Sequence, residues 1–148
     1  MRFGTYYFLQ APPAAAHPDV IRHEIEQMMW TEELGFDSIW LTEHHFIDYG
    51  LSVSPSVLAA AAAMRTRRVR IGLAAAILPF HDPVRLAEEL AIVDILSEGR
   101  LDVGVGRDEF RRLGVGEMLC WMNFGGLPQE RVRRSMELFA REVMPRCR

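Results

Sequence analysis

A chain of 148 residues with 49% hydrophobic and 25% charged content is sized for one globular domain, and it is too short for a full (β/α)8 barrel, which needs about 250 residues. Its formal net charge of -3 gives no electrostatic reason to expect nucleic acid or an anionic membrane as partner. All 17 basic residues are Arg, which excludes Schiff-base chemistry, pyridoxal phosphate anchoring and a Walker A loop, since each needs Lys.

The opening residues Met1-Arg2-Phe3-Gly4-Thr5-Tyr6-Tyr7-Phe8 read as a strand, without the apolar stretch and small-residue cleavage site of a signal peptide. After a loop rich in Pro and Ala, Pro18 opens a helix whose apolar positions Ile21, Ile25, Met28 and Met29 follow helical spacing, and Gly35 ends it. Phe36-Asp37-Ser38-Ile39-Trp40-Leu41 is the second strand. Pro55 starts a second helix whose apolar run, residues 57–64, is far shorter than the roughly 20 residues that span a bilayer. Arg65, Arg67, Arg68 and Arg70 read as a solvated turn. Residues 69–78 form a mostly apolar run, as expected of a strand covered on both faces, and their small side chains imply that something packs closely. Asp82 then caps a helix with Pro83 at its first position, and Leu86, Leu90, Val93 and Leu96 share one face. Gly99 ends that helix, and Leu101-Asp102-Val103-Gly104-Val105-Gly106 is the fourth strand.

Strand starts thus recur every roughly 30 to 35 residues, the length of a βα unit, and then the period breaks. Residues 108–113 hold at most two helical turns, the next strand covers 117–124, and a helix over 128–144 carries Val132, Met136, Phe139 and Val143 on one side. The pattern predicts one domain of five βα-like units, the fourth lacking a proper helix. Cys120 and Cys147 show neither zinc-ligand spacing nor a disulfide framework, so a reducing cytoplasm is the expected compartment.

The chemistry concentrates where the second strand ends in Thr42-Glu43-His44-His45-Phe46, because parallel α/β folds place their sites at the carboxyl ends of strands. A neutral imidazole there can take or give a proton near neutral pH, and Glu43 can orient it or hold a cation. Adjacent imidazoles would diverge on a regular strand, so a metal pair is not indicated and two ordinary loop histidines remain an alternative. Gly104-Val105-Gly106 lacks the third Gly of a dinucleotide fingerprint, there is no nucleophile elbow, and Trp30, Trp40 and Trp121 read as core or rim aromatics. His17 and His23 read as exposed, and His81 as part of a helix-start loop.

Four blocks carry a family resemblance: Asp37 to Phe46, Gly72 to Phe80, His81 to Glu89, and Gly99-Arg100-Leu101-Asp102-Val103-Gly104-Val105-Gly106-Arg107. Together they resemble the N-terminal half of the bacterial luciferase-like flavin monooxygenases over residues 1–107. The resemblance implies a (β/α)8-type fold, reduced FMN as cofactor, molecular oxygen as co-substrate, a small organic substrate, and a separate flavin reductase as partner. By the same resemblance His44 is the catalytic imidazole flanked by Glu43 and His45, Ala74 and Ala75 pack on the isoalloxazine ring through a bond that can be cis, and Arg107 meets the flavin phosphate.

Residues 117–148 resemble the last strand and helix of the same barrel, with 108–116 as the junction. Units one to four would then join directly to unit eight. The fold expected is therefore α/β, a partial TIM-barrel-like open sheet of about five parallel strands in barrel order 8-1-2-3-4, with two free edges that a second copy could complete as a homodimer. Phosphate-binding loops of such barrels come late in the sequence, which leaves Arg107 nearly alone in that role. Two further readings stay open: a non-catalytic truncated relative acting as a weak flavin-binding or interaction module, and a deazaflavin-dependent oxidoreductase.

Overall fold

The computed structural model describes residues 1–47, 50–105, 117–120, 128–142 and 144–147, with the backbone alone at 117–120, 146 and 147. The expected junction at 108–116, Arg107, Trp121 and Val143 lie outside the described residues. Strands and helices alternate as β1 (Arg2–Tyr7), α1 (His17–Glu33), β2 (Ser38–Leu41), α2 (Pro55–Arg65), β3 (Arg70–Ala76), α3 (Pro83–Leu96), β4 (Leu101–Val105), β5 (Glu117–Cys120), α4 (Gln129–Glu142) and α5 (Met144–Cys147). The five strands form one parallel sheet in the order β4-β3-β2-β1-β5, which is the barrel order 8-1-2-3-4. Among the described residues the sheet is open, with β4 and β5 each paired on one side only.

Register decides which side chains share a face. Thr5, Ile39 and Ile71 lie level, as do Tyr7, Leu41 and Leu73, and the alternation of strand side chains turns both rows toward the helices. There they meet Met28 of α1, Ala59, Ala62 and Ala63 of α2, and Leu86 and Val93 of α3 in the main core. The opposite face carries Tyr6, Trp40 and Gly72 in one row, with Arg70 clasping Asp102 through Nε and Nη2, both at 2.6 Å. The close packing expected around the small residues of β3 is present: the Trp40 ring lies where a Cβ on Gly72 would stand.

The hydrophobic spacing of α1 located only part of its buried face. Met28 is buried and Ile25 and Met29 are half-buried, but Ile21 is exposed and the other buried positions are the polar Glu24, Gln27 and Thr31. The reason is a hydrogen-bonded seam between α1 and β1. The Thr31 hydroxyl donates to the Gln27 carbonyl at 3.0 Å, so its oxygen receives the hydroxyls of Tyr7 at 2.6 Å and Thr5 at 3.0 Å. Burial pushes the Tyr7 phenol well above its ordinary range and keeps it a donor.

Helix ends follow the local chemistry. Asp82 accepts hydrogen bonds from the Val84 and Arg85 amides, and α3 starts there with Pro83 at its first turn. The α4 helix is fastened to the β1 and β2 end of the sheet by a small aromatic cluster. Phe139 meets Phe3 edge-on at 5.7 Å and stacks on Phe36 at 6.0 Å, contacts worth about 0.5 to 1.5 kcal/mol each beyond their buried area. Gln129 adds a bond to buried Gln27 at 2.6 Å and one to the His23 carbonyl.

Candidate active site at the carboxyl end of the sheet

The segment after β2 leaves the strand at Thr42, whose amide and hydroxyl both donate to the Tyr7 carbonyl on β1. It is then held from the other side, where the Ser52 hydroxyl donates to the Thr42 carbonyl and the His44 amide donates to the Ser52 carbonyl at 2.8 Å. The segment is therefore held at Thr42 and His44, between the end of β1 and Ser52 of the same connection, rather than left as a free loop, which lets three consecutive side chains take different roles.

Glu43 turns inward and its side chain is fully buried. Its Oε1 accepts from His45 Nε2 at 2.7 Å and from His81 Nε2 at 2.9 Å, and its Oε2 from the Ile77 amide at 2.7 Å. Burial alone would raise this carboxyl, but the bonds from His45, His81 and Ile77 outweigh it and hold the group below the ordinary carboxylate value. The idea that Glu43 orients His44 is thus replaced by a different pairing, in which it serves His45 and His81.

His44 points elsewhere. Its ring lies on Phe8 at 4.0 Å between centroids, and its Nε2 is buried with no hydrogen-bond partner among the described residues. Burial first, and then the neighbouring His45, depress its basicity, with the Glu43 charge opposing. A depressed imidazole binds its proton more weakly in the folded chain than in the unfolded one. Its contribution to stability is therefore complete above the ordinary value of 6.5 and is lost as pH falls below it toward the lower folded value. We expect a urea midpoint that drops between pH 7.5 and 5.5, with His44→Gln flattening that drop; equal slopes for both proteins would contradict the burial of His44.

On the neighbouring strand the Ala74-Ala75 bond is cis. The β3–β4 register shifts between Leu73 and Ala76 at the same place. Both alanines are half-buried, so the strand end beside His44 offers backbone and methyl groups rather than bulk. The structure therefore brings His44, Glu43, His45, Ala74 and Ala75 to one end of the sheet, and Arg107 is not among the described residues. Sequence reasoning missed His81, Ile77 and Phe8. Only Phe8, directly after the first strand, carried a signal of position; nothing in the chain marks His81 as the partner of a carboxylate 38 residues away.

The comparisons agree with this architecture. The luciferase-like monooxygenase family profile matches residues 1–138, and the chain belongs to that family. The chain is 40% identical over 122 residues to uncharacterized protein y4vJ of Sinorhizobium fredii (78% of this chain, 34% of that protein). It is 35% identical over 131 residues to an alkanal monooxygenase alpha chain of Photorhabdus luminescens (82% and 36%). Among solved structures, the monooxygenase RslO1 of Streptomyces bottropensis aligns with a TM-score of 0.69 at 38% identity, covering 74% of this chain and 34% of that one. The oxygenating constituent of 3,6-diketocamphane monooxygenase of Pseudomonas putida, solved in complex with FMN, shares the fold at a TM-score of 0.69 and 19% identity, over 97% and 39% of the two chains. The coenzyme F420-dependent tetrahydromethanopterin reductase of Methanopyrus kandleri shares it at 0.54 and 21%, over 73% and 27%. The chain spans about a third of the length of the curated relatives it matches. Among the described residues no helix is long and apolar enough to cross a membrane.

Proposed function

We propose that this chain carries the flavin-facing half-site of a monooxygenase that uses reduced FMN and molecular oxygen on a small organic substrate, with His44 as the catalytic imidazole. The observation that carries the reading is the buried, unpartnered Nε2 of His44 beside a strand end of two alanines. An orphaned buried nitrogen costs free energy unless a ligand completes it, and a flat ring needs small side chains beneath it. The residues present therefore fit a flavin.

In this reading Ala74 and Ala75 lie under the isoalloxazine ring, and the sequence supplies Arg107 for the phosphate, a role suited to its bidentate guanidinium. When bound, reduced FMN supplies the oxygen chemistry. His44, neutral near pH 7 because burial depresses it, holds or passes a proton at Nε2. Phe8 covers the other side of the imidazole and keeps water from it. Glu43 and His45 act on the frame of the site. The chain is taken as one truncated domain, with residues 1–107 as units one to four, 108–116 as junction and 117–148 as last strand and helix. A reductase that delivers reduced FMN, a cytoplasmic setting and a second copy on the open sheet edges complete this reading.

The test is anaerobic titration of the purified chain with reduced FMN, alongside His44→Ala and Arg107→Ala. Saturable binding in the micromolar range, about -8 kcal/mol, weakened about tenfold by Arg107→Ala, is expected. A folded, monodisperse sample that binds no flavin would overturn the reading in favour of an interaction module. Binding of a deazaflavin in place of FMN would move the activity to that coenzyme, consistent with the F420-dependent relative in fold.

A further inference from the structure

We propose that His81 is a positioning residue of this site, acting through the buried Glu43 carboxylate to lock the segment after β3 onto the segment after β2. The proposal rests on the flavin reading above for its functional consequence, and on geometry alone for the lock itself.

Glu43 and His45 belong to the segment after β2; Ile77 and His81 belong to the segment after β3. The four meet on one carboxylate. Both ends of the short 3-10 turn at Leu78–Phe80 are pinned to it, since the Ile77 amide before the turn donates to Oε2 and His81 after it donates to Oε1 at 2.9 Å and Oε2 at 3.0 Å. The Phe80 ring inside the turn closes on His45 at 4.7 Å. Ala75 stands two residues before Ile77, so this clamp fixes the chain just beyond the proposed flavin face. At its other end His81 runs directly into the Asp82 cap and α3.

An ionised carboxylate only accepts hydrogen bonds, so His45 and His81 must each present a proton at Nε2. A carboxylate buried this completely is tolerable only with such donors around it, and with no Lys in the chain and no guanidinium bonded to Glu43 among the described residues, the donors described are two imidazoles and an amide. The two histidines are thereby committed in tautomer and orientation. Of the three imidazoles near this strand end, His44 is left with an uncommitted buried nitrogen.

The experiment uses the full chain as wild type, His81→Ala, His81→Gln and Glu43→Gln. Without flavin, long-range nitrogen NMR of the imidazoles near pH 8 should show the Nε2–H tautomer for both His45 and His81, and the Ile77 amide should resist hydrogen exchange. His81→Ala should speed that exchange at least about tenfold. His81→Gln, whose amide N–H can stand near the place of Nε2, should restore most of the protection, which a merely space-filling role would not require. An Nδ1–H tautomer at either histidine, or an Ile77 amide that exchanges freely in the wild type, would overturn the lock. With reduced FMN, His81→Ala should weaken binding about tenfold, and His81→Gln should recover most of it. Unchanged affinity in His81→Ala would overturn the positioning role. Absence of flavin binding by a wild type that keeps the NMR signature would overturn the flavin reading and leave the lock standing. Glu43→Gln, which keeps the volume of the side chain, guards against a variant that fails simply by leaving a hole.

Discussion

Replacing Arg100 with alanine should lower the unfolding free energy by roughly 3 kcal/mol, a fall in Tm of about 10 °C for a chain of this size. All five guanidinium protons have acceptors. Nε donates to the Ser97 carbonyl at 2.7 Å, Nη1 to the Thr66 hydroxyl at 2.9 Å and the Val69 carbonyl at 2.8 Å, and Nη2 to the carbonyls of Ala63 at 3.2 Å and Thr66 at 3.1 Å. These carbonyls end α2 and α3 and begin β3, where helices leave acceptors unpaired and carry partial negative charge. One side chain therefore joins three elements at the amino end of the sheet. Each bond to a charged donor contributes about 1.5 to 3 kcal/mol alone, but the five are not additive, because Arg100 is half-exposed and water replaces part of what is lost. Arg100→Lys should recover less than half of the loss, since an ammonium cannot reproduce the planar fork. Urea unfolding of the three proteins checks this, and a loss below about 1 kcal/mol would show that solvent satisfies those carbonyls equally well.

Much of the fold was legible because βα units leave coarse marks. Asp82 and Pro83 announced a helix start, and Gly35 and Gly99 announced ends, both with φ near +80° at 79° and 78°. The order of the strands was not written in periodicity; it came from the likeness of residues 117–148 to a final barrel unit, and β5 pairs with β1 accordingly. The face of α1 was illegible for a physical reason. A period of apolar residues finds a greasy stripe, but this helix buries Thr31 against Thr5 and Tyr7 and Gln27 against Gln129, and those polar contacts interrupt the expected pattern.

In the site, Glu43-His44-His45 stood out by type and position, and their division of labour did not. Consecutive side chains at a strand end leave in different directions, and only the turn after β3 shows which of them it meets. That turn contributes Ile77 and His81, 34 and 38 residues distant from Glu43. Local sequence cannot encode such a pairing, because hydrogen bonds between two loops depend on the strand register that sets the loops side by side.

Gly104→Ala should cost about 2 to 3 kcal/mol, although it adds one carbon to an edge strand. A Cβ built on Gly104 would stand 2.5 Å from the Leu73 carbonyl oxygen, a backbone atom of the adjacent β3 strand that cannot swing aside. The register between β3 and β4 shifts just there, between Leu73 and Ala76, so β4 crosses close over the chain as it enters the Ala74-Ala75 bond. The added methyl must either push β4 off the sheet edge or move residues 73–76. In the second case the face proposed for the isoalloxazine ring moves as well, and reduced-FMN affinity should fall about tenfold under conditions where the variant is still folded. Val103→Ala on the same strand is the control: its side chain is 46% exposed, and its removal should change stability by about 0.5 kcal/mol or less. Urea midpoints and flavin titrations on the two variants separate the cases. A Gly104→Ala protein as stable as wild type would place β4 farther from Leu73 than the geometry allows, whereas a destabilised variant with undiminished flavin affinity would mean that the edge strand gives way and the Ala74-Ala75 face holds its position without it.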